Sequence, residues 1–135
     1  MSSVNLYNPN FKGYVSKRNN KVAANIRQCL ANAISRGDFQ ILPHHEHDSR
    51  MPVPVTITYV DLSPDLRNAV VYFIPFGGEK KDECLKFFRL QTHFFKNLLA
   101  KKMKLRYIPE ILFKIDTSFE YSEKIEHLLD NVKSH

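Results

Sequence analysis

The segment VTITYVDLSPDLRNAVVYF, residues 55–73, constrains the fold of this chain more than any other feature. β-Branched and aromatic residues are concentrated on both sides of a polar Ser-Pro-Asp sequence at 63–65. Such runs on either side of a proline-bearing turn predict two strands joined by a short connection. We expect the first strand over residues 55–62 and the second over residues 69–74.

The two predicted strands differ in how their side chains are distributed. In the first, strict alternation places the odd-numbered residues from Val55 to Tyr59 on one face and the even-numbered residues from Thr56 to Val60 on the other. The second, AVVYFI, is apolar on both faces, which predicts that it is the more buried strand.

Helical periodicity and capping residues predict the elements around these strands. Apolar residues recur every three or four positions over 16–36, where Ser16 is a candidate N-cap and Gly37 a stop. After the second strand we expect a helix over 79–90, a break at Gln91-Thr92-His93 and a second helix over 94–103. A strand over 111–115 and a final helix over 118–132 follow, with Ser118 as a candidate N-cap.

This order predicts an α+β protein in which a small mixed sheet is covered by helices on one face. A chain of 135 residues fits one domain, expected over residues 15–132. Residues 1–14 are predicted to form a flexible N-terminal arm and residues 133–135 a tail.

The charge balance indicates the kind of partner. The formal net charge is +6, which favours polyanions such as RNA, DNA or an anionic membrane surface. No apolar run approaches the roughly 18 residues that span a bilayer, and the N-terminus lacks the apolar region of a secretory signal. The two cysteines, Cys29 and Cys84, lie far apart and are expected to be reduced thiols.

Three sequence segments resemble the ribosome-binding factor A family: KRNNKVAANIRQCL at 17–30, VTITYVDLSPDLRNAVVYF at 55–73 and LRYIPEILFKID at 105–116. The resemblance covers residues 16–130 and implies a type II KH-like fold. It also implies binding to the small ribosomal subunit and a part in maturing its ribosomal RNA, above all in the cold. The family replaces the GxxG loop of ordinary KH domains with a kink between two helices, usually marked by Ala and Gly. The kink falls at Gln91-Thr92-His93 in this chain, which has neither residue there.

The resemblance and the positions of the basic residues together predict an RNA-contacting surface. Cationic side chains there would neutralise phosphates and release counterions. A solvated helix face is the alternative interpretation of each group of charges. The predicted RNA-binding residues are Lys96, Lys101, Lys102, Lys104 and Arg106, together with Lys17, Arg18, Arg27 and Arg50.

Other residue types offer no comparable chemistry. His44, His45, His47 and Asp48 are metal-ligand types, but neighbouring loop residues rarely converge in a tetrahedron, so no metal is expected. Ser63 lacks the glycines of a nucleophile elbow, and Gly77-Gly78 lacks the Lys-Ser/Thr ending of a phosphate-binding loop. The four phenylalanines at 87, 88, 94 and 95 fit either base stacking or core packing, and core packing is favoured for at least two.

The sequence therefore predicts a non-enzymatic, monomeric RNA-binding assembly factor of the small ribosomal subunit, with no cofactor and no membrane partner. Contacts with ribosomal proteins are a further expectation. The alternative is a protein-interaction module that docks on ribosomal proteins or on a partner GTPase without gripping RNA. The expected compartment is the cytoplasm, with a mitochondrial or plastid matrix as the alternative.

Overall fold

The computed structural model describes residues 17–118, which form two helices and a three-stranded sheet. Helix α1 spans Lys17–Arg36 and is followed by strand β1 (Val55–Leu62) and strand β2 (Asn68–Pro75). A single 3₁₀ turn, Phe76–Gly78, leads to helix α2 (Lys81–Lys102), and strand β3 (Glu110–Ile115) follows. The predicted final helix lies outside the described residues except for Ser118, and the candidate N-cap Ser16 also lies outside them.

The sheet has the order β1-β2-β3, with β1 and β2 antiparallel and β2 and β3 parallel. The central position of β2 confirms that it is the more buried strand, and it explains why both of its faces are apolar. The connection from β1 to β2 is held by Ser63 and Asp65. The Ser63 hydroxyl donates to the Asp65 carboxylate at 2.6 Å, and the backbone N–H of Arg67 donates to the same carboxylate at 3.1 Å.

Both helices pack against the same face of the sheet. Ile26, Leu30 and Ala33 of α1 and Phe88 and Phe95 of α2 are fully buried in one core with the inward residues of the strands. Phe88 stacks on Phe113 of β3, with ring centroids 4.3 Å apart. Aromatic pairs of this kind stabilise a core beyond the area they bury. The prediction of core packing is thus confirmed for Phe87, Phe88 and Phe95, whereas Phe94 is half-buried.

The predicted faces of β1 are wrong beyond Ile57. The pairing register with β2 shifts between Ile57 and Tyr59, so one residue, Thr58, is inserted as a β-bulge. A bulge reverses the alternation that follows it. Ile57 is buried before the bulge, and Val60 and Leu62 are buried after it, whereas Tyr59 is only half-buried.

The predicted break at Gln91-Thr92-His93 is also wrong, because α2 is continuous from Lys81 to Lys102. The Thr92 hydroxyl donates to the Phe88 carbonyl at 2.8 Å inside the helix, so it does not cap a second segment. The described non-glycine residues with positive φ are His44, Leu66 and Lys80. His93 is not one of them, so its backbone is not in the left-handed region.

Gln91 is fully buried on α2 and ties the helix to the loop that follows α1. The backbone N–H of Gln40 donates to Gln91 Oε1 at 3.0 Å, and Gln91 Nε2 donates to the Gln40 carbonyl at 2.6 Å. A buried amide with both functions paired satisfies the rule for polar groups in a core. Gln91, which lies in the predicted break, therefore links α2 to this loop by two hydrogen bonds.

Candidate nucleic-acid interface

Seven basic and amide side chains surround a groove between α1 and the end of α2. The α1 wall carries polar residues at steps of three and four, which is the spacing of one helix face. The other wall is the chain segment 102–105, which leaves α2 in an extended conformation at Met103. We name this cavity the α1–α2 groove; its volume is about 630 Å³ and it is lined by Lys21, Val22, Asn25, Gln28, Cys29, Asn32, Arg36, Lys102, Met103, Lys104 and Leu105.

Cationic groups reach this groove from both walls. Lys21, Lys102 and Lys104 are exposed, and Arg36 is exposed and donates from Nε to Asp38 at 3.0 Å. Lys102 lies in the last turn of α2, where a positive charge is also stabilised by the helix dipole. The dipole accounts for a lysine at this point in the chain, but it does not account for lysines at 21 and 104 facing the same cavity.

Cys29 lines the groove from α1 and is half-buried. Burial raises the pKa of its thiol, and the positive charges of Lys102 and Arg36 act in the opposite direction. Lys102 and Arg36, which stand on different walls, are therefore both close enough to influence this thiol.

A smaller cavity of about 200 Å³ continues the groove, since it shares Val22, Lys104 and Leu105 with it. Arg106 lines this cavity with Tyr107, whose side chain is 56% exposed. The guanidinium carbons of Arg67 and Arg106 lie 5.6 Å and 5.5 Å from the Tyr107 ring centroid. These are cation–π distances, and they extend the basic surface from the groove to an exposed aromatic ring.

The structure brings together some of the predicted RNA-binding residues and separates others. Lys102 and Lys104 line the groove, Arg106 lines its extension, and Lys101 is exposed beside them in the last turn of α2. Lys96 instead forms a salt bridge with Glu110 at the start of β3, so its charge is already paired.

The remaining predicted residues lie elsewhere. Arg27 borders a separate groove of about 700 Å³ on the opposite flank of α1, whose walls include Met51 and Val53. Arg50 is exposed in the loop before β1 and borders neither this cavity nor the α1–α2 groove. Lys17 and Arg18 begin α1, but their side chains lie outside what the structure describes.

Sequence reasoning missed the α1 residues of the groove as a group. Lys21, Asn25, Gln28, Asn32 and Arg36 follow one another at steps of four, three, four and four residues. This spacing marks a single polar helix face, and it was visible in the sequence. What the sequence could not show is that the segment after α2 forms the facing wall.

No metal centre is formed by residues 17–118, where no three His, Cys, Asp or Glu side chains are grouped closely enough to hold an ion. In the histidine-bearing loop, Asp48 instead forms a salt bridge with Lys86, whose Nζ lies 3.2 Å from the carboxylate. Neither described helix is long and apolar enough to cross a membrane.

Two helices on one face of a sheet with one antiparallel and one parallel pairing define a type II KH-like α+β domain. The family model described as "Ribosome-binding factor A" matches residues 18–129. A Pelagibacter ubique protein named "Ribosome-binding factor A" is 36% identical over 115 residues, which are 85% of this chain and 89% of that relative. The chain belongs to the ribosome-binding factor A family.

Solved structures show the same fold. The crystal structure of ribosome-binding factor A from Thermus thermophilus aligns with a TM-score of 0.56 at 18% identity, covering 72% of this chain and 93% of that one. The solution structure of a Thermotoga maritima protein, described as a candidate ribosome binding factor A, aligns with a TM-score of 0.56 at 27% identity, covering 76% and 91%. The name of the family refers to binding to ribosomes.

Proposed function

We propose that this protein binds the RNA of the small ribosomal subunit and assists its maturation as a stoichiometric assembly factor, without catalysis or a cofactor. The observation that supports this proposal is the α1–α2 groove, in which cations from two separate elements face one cavity. Membership of a ribosome-binding family supports the ribosome as the partner, and the cations that line the groove support contact with a phosphate backbone.

The chemistry of the groove suits a polyanion. Ammonium groups of Lys21, Lys102 and Lys104 release counterions when they neutralise phosphates, and this release drives much of the affinity for RNA. The helices that carry these residues pack against a continuous core, so the backbone positions of the cations are fixed before RNA arrives. Binding would hold an immature RNA conformation until folding of the RNA, or another factor, displaces the protein.

The proposal extends to the protein's state and surroundings. We propose that it acts as a monomer in the compartment where its ribosomes are assembled, the cytoplasm of a bacterial cell, with the greatest need in the cold. Ribosomal proteins near the bound RNA are further candidate contacts. RNA misfolds more persistently at low temperature, since escape from a paired state is then slower.

The test is the salt dependence of binding to purified immature small subunits. Arg36 is paired with Asp38, so the three remaining groove cations, Lys21, Lys102 and Lys104, predict a log–log slope of about −2.1 for single-stranded RNA, and removing two of them predicts about −0.7. The double variant Lys102→Gln, Lys104→Gln should therefore bind more weakly and with the shallower slope.

The control carries the same charge change outside the groove. Arg89→Gln, Lys114→Gln replaces two exposed cations that do not line the groove, and it should keep the slope of the unaltered protein. Affinity that barely changes with salt would instead show docking on ribosomal proteins or a partner GTPase, which is the alternative to a phosphate grip. Thermal midpoints of both variants should stay close to that of the unaltered protein, because all four residues are exposed.

A further inference from the structure

Between the cations of the α1–α2 groove lies a row of side-chain amides. Asn25, Gln28 and Asn32 line the cavity on the same helix face, with Lys21 before them and Arg36 after them. The row from 21 to 36 covers about 22 Å of helix at 1.5 Å per residue. Cations dominate binding to phosphates, whereas side-chain amides can bond to phosphate or sugar oxygens and also to base edges.

Amides add what lysine lacks, because each carries a donor and an acceptor on one planar group. Gln28 Nε2 donates to Asn32 Oδ1 at 3.1 Å, which orients the two side chains towards each other. Within the described residues, this bond leaves Gln28 Oε1 as an acceptor and Asn32 Nδ2 as a donor, both at the groove.

We infer that these amides read the base edges of single-stranded RNA, with adenine as the preferred base. The inference rests on the proposed function, since the flanking cations must first hold the strand. Adenine presents a donor beside an acceptor on both its Watson–Crick edge (N6–H and N1) and its Hoogsteen edge (N6–H and N7), so asparagine or glutamine can match either edge with two hydrogen bonds, whereas cytosine and uracil offer such a pair on the Watson–Crick edge alone. The strand must be unpaired, because sequence-specific recognition of RNA uses bases that are free of a helix.

A solvated polar helix face would have the same composition, but it makes different predictions. Solvated amides contribute nothing to discrimination among bases. Amides that read bases contribute to the preference for one base and leave the salt dependence unchanged, because they carry no charge.

The experiment measures the affinity of the full chain for labelled oligo(A), oligo(U) and oligo(C) of equal length by fluorescence anisotropy. The unaltered protein should bind oligo(A) about tenfold more tightly than oligo(U), a ratio within the range for one bidentate amide–adenine pair. The variant Gln28→Ala, Asn32→Ala should bring the ratio to within about twofold with the same salt slope.

The matched control is Asn20→Ala, Asn97→Ala, which removes two exposed amides from helices α1 and α2 outside the groove and should keep the preference. Alanine is the best helix former, so neither variant is expected to unfold α1. The inference is overturned if all three oligonucleotides bind equally and in a salt-dependent way, or if the preference for oligo(A) persists in Gln28→Ala, Asn32→Ala. Either result would still agree with the proposed binding of phosphates. Failure to bind any oligonucleotide overturns the proposed function itself.

Discussion

Replacing Gln91 with methionine tests whether the buried amide holds the loop after α1 against α2. Methionine keeps nearly the same length and volume but removes both hydrogen bonds to the Gln40 backbone. The net worth of one such bond is about 0.5–1.5 kcal/mol, so the pair predicts a loss of about 1–3 kcal/mol in the free energy of unfolding.

The lower half of this range is expected if water reaches the freed groups, since Gln40 itself is an exposed residue. In a domain of this size each kcal/mol lowers the unfolding temperature by about 4 °C, so Gln91→Met should lower it by roughly 4–12 °C. Urea unfolding followed by circular dichroism should show a lower midpoint with an unchanged slope. Hydrogen exchange at the Gln40 amide should become faster, because its acceptor is gone.

Thr92→Ala provides the control on the same turn of α2. Within residues 17–118 its hydroxyl bonds only to a carbonyl of its own helix, an arrangement that contributes little to stability. The expected change is within about 0.5 kcal/mol. If Gln91→Met is as stable as the unaltered protein, the amide is not a structural tie and our reasoning about its burial is refuted.

Two further predictions concern carboxylates at the two ends of β3. Asp116 accepts from Thr58 Oγ1 at 2.6 Å, and although burial raises its pKa, hydrogen bonds from Ser118 and Thr58 outweigh this and hold the pKa below its ordinary value. A depressed folded-state pKa stabilises the fold above the ordinary carboxyl pKa, and this contribution is lost as pH falls through the folded value. Asp116→Asn should thus lower the free energy of unfolding by about 1 kcal/mol at neutral pH and by progressively less in acid. The loss is small because solvent screens a partly exposed carboxylate. If the stability difference between the variant and the unaltered protein in urea does not change with pH, this assignment is contradicted. Lys96→Gln removes the exposed ion pair with Glu110, so we expect a stability change within about 0.5 kcal/mol and unaltered binding to small subunits. A loss of binding as large as that of Lys102→Gln would instead assign Lys96 to the interface.

The strands could be predicted closely because their signal is local. Alternation and β-branching placed β1 at 55–62 and put β2 and β3 within a residue of their observed ends. The bulge at Thr58 could not be predicted, since an inserted residue appears only when a strand is paired with its neighbour. Its effect was to exchange the faces of Tyr59 and Val60.

The candidate site was less predictable because it depends on tertiary structure. Lys102 and Lys104 were identified from charge and position, yet Lys96 has the same local sequence character and is paired with Glu110 fourteen positions later. A break was predicted at Gln91-Thr92-His93, where the kink of the family falls, but Gln91 lies inside a continuous helix and is buried. The backbone that it pairs with, at Gln40, is remote in sequence, and no local pattern points to it.

The parallel pairing of β2 with β3 has a consequence for how the chain acquires its structure. The β1–β2 pair closes across a short turn, with Leu62 opposite Ala69, whereas β3 can pair with β2 only once the chain has run through α2, with Asn68 opposite Glu110. Until then one edge of the most apolar strand has no partner, and unpaired apolar edges are where chains pair with one another. A chain cleaved or stalled before Glu110 would therefore be prone to self-association, and the late closure of this long loop is expected to limit the rate of folding.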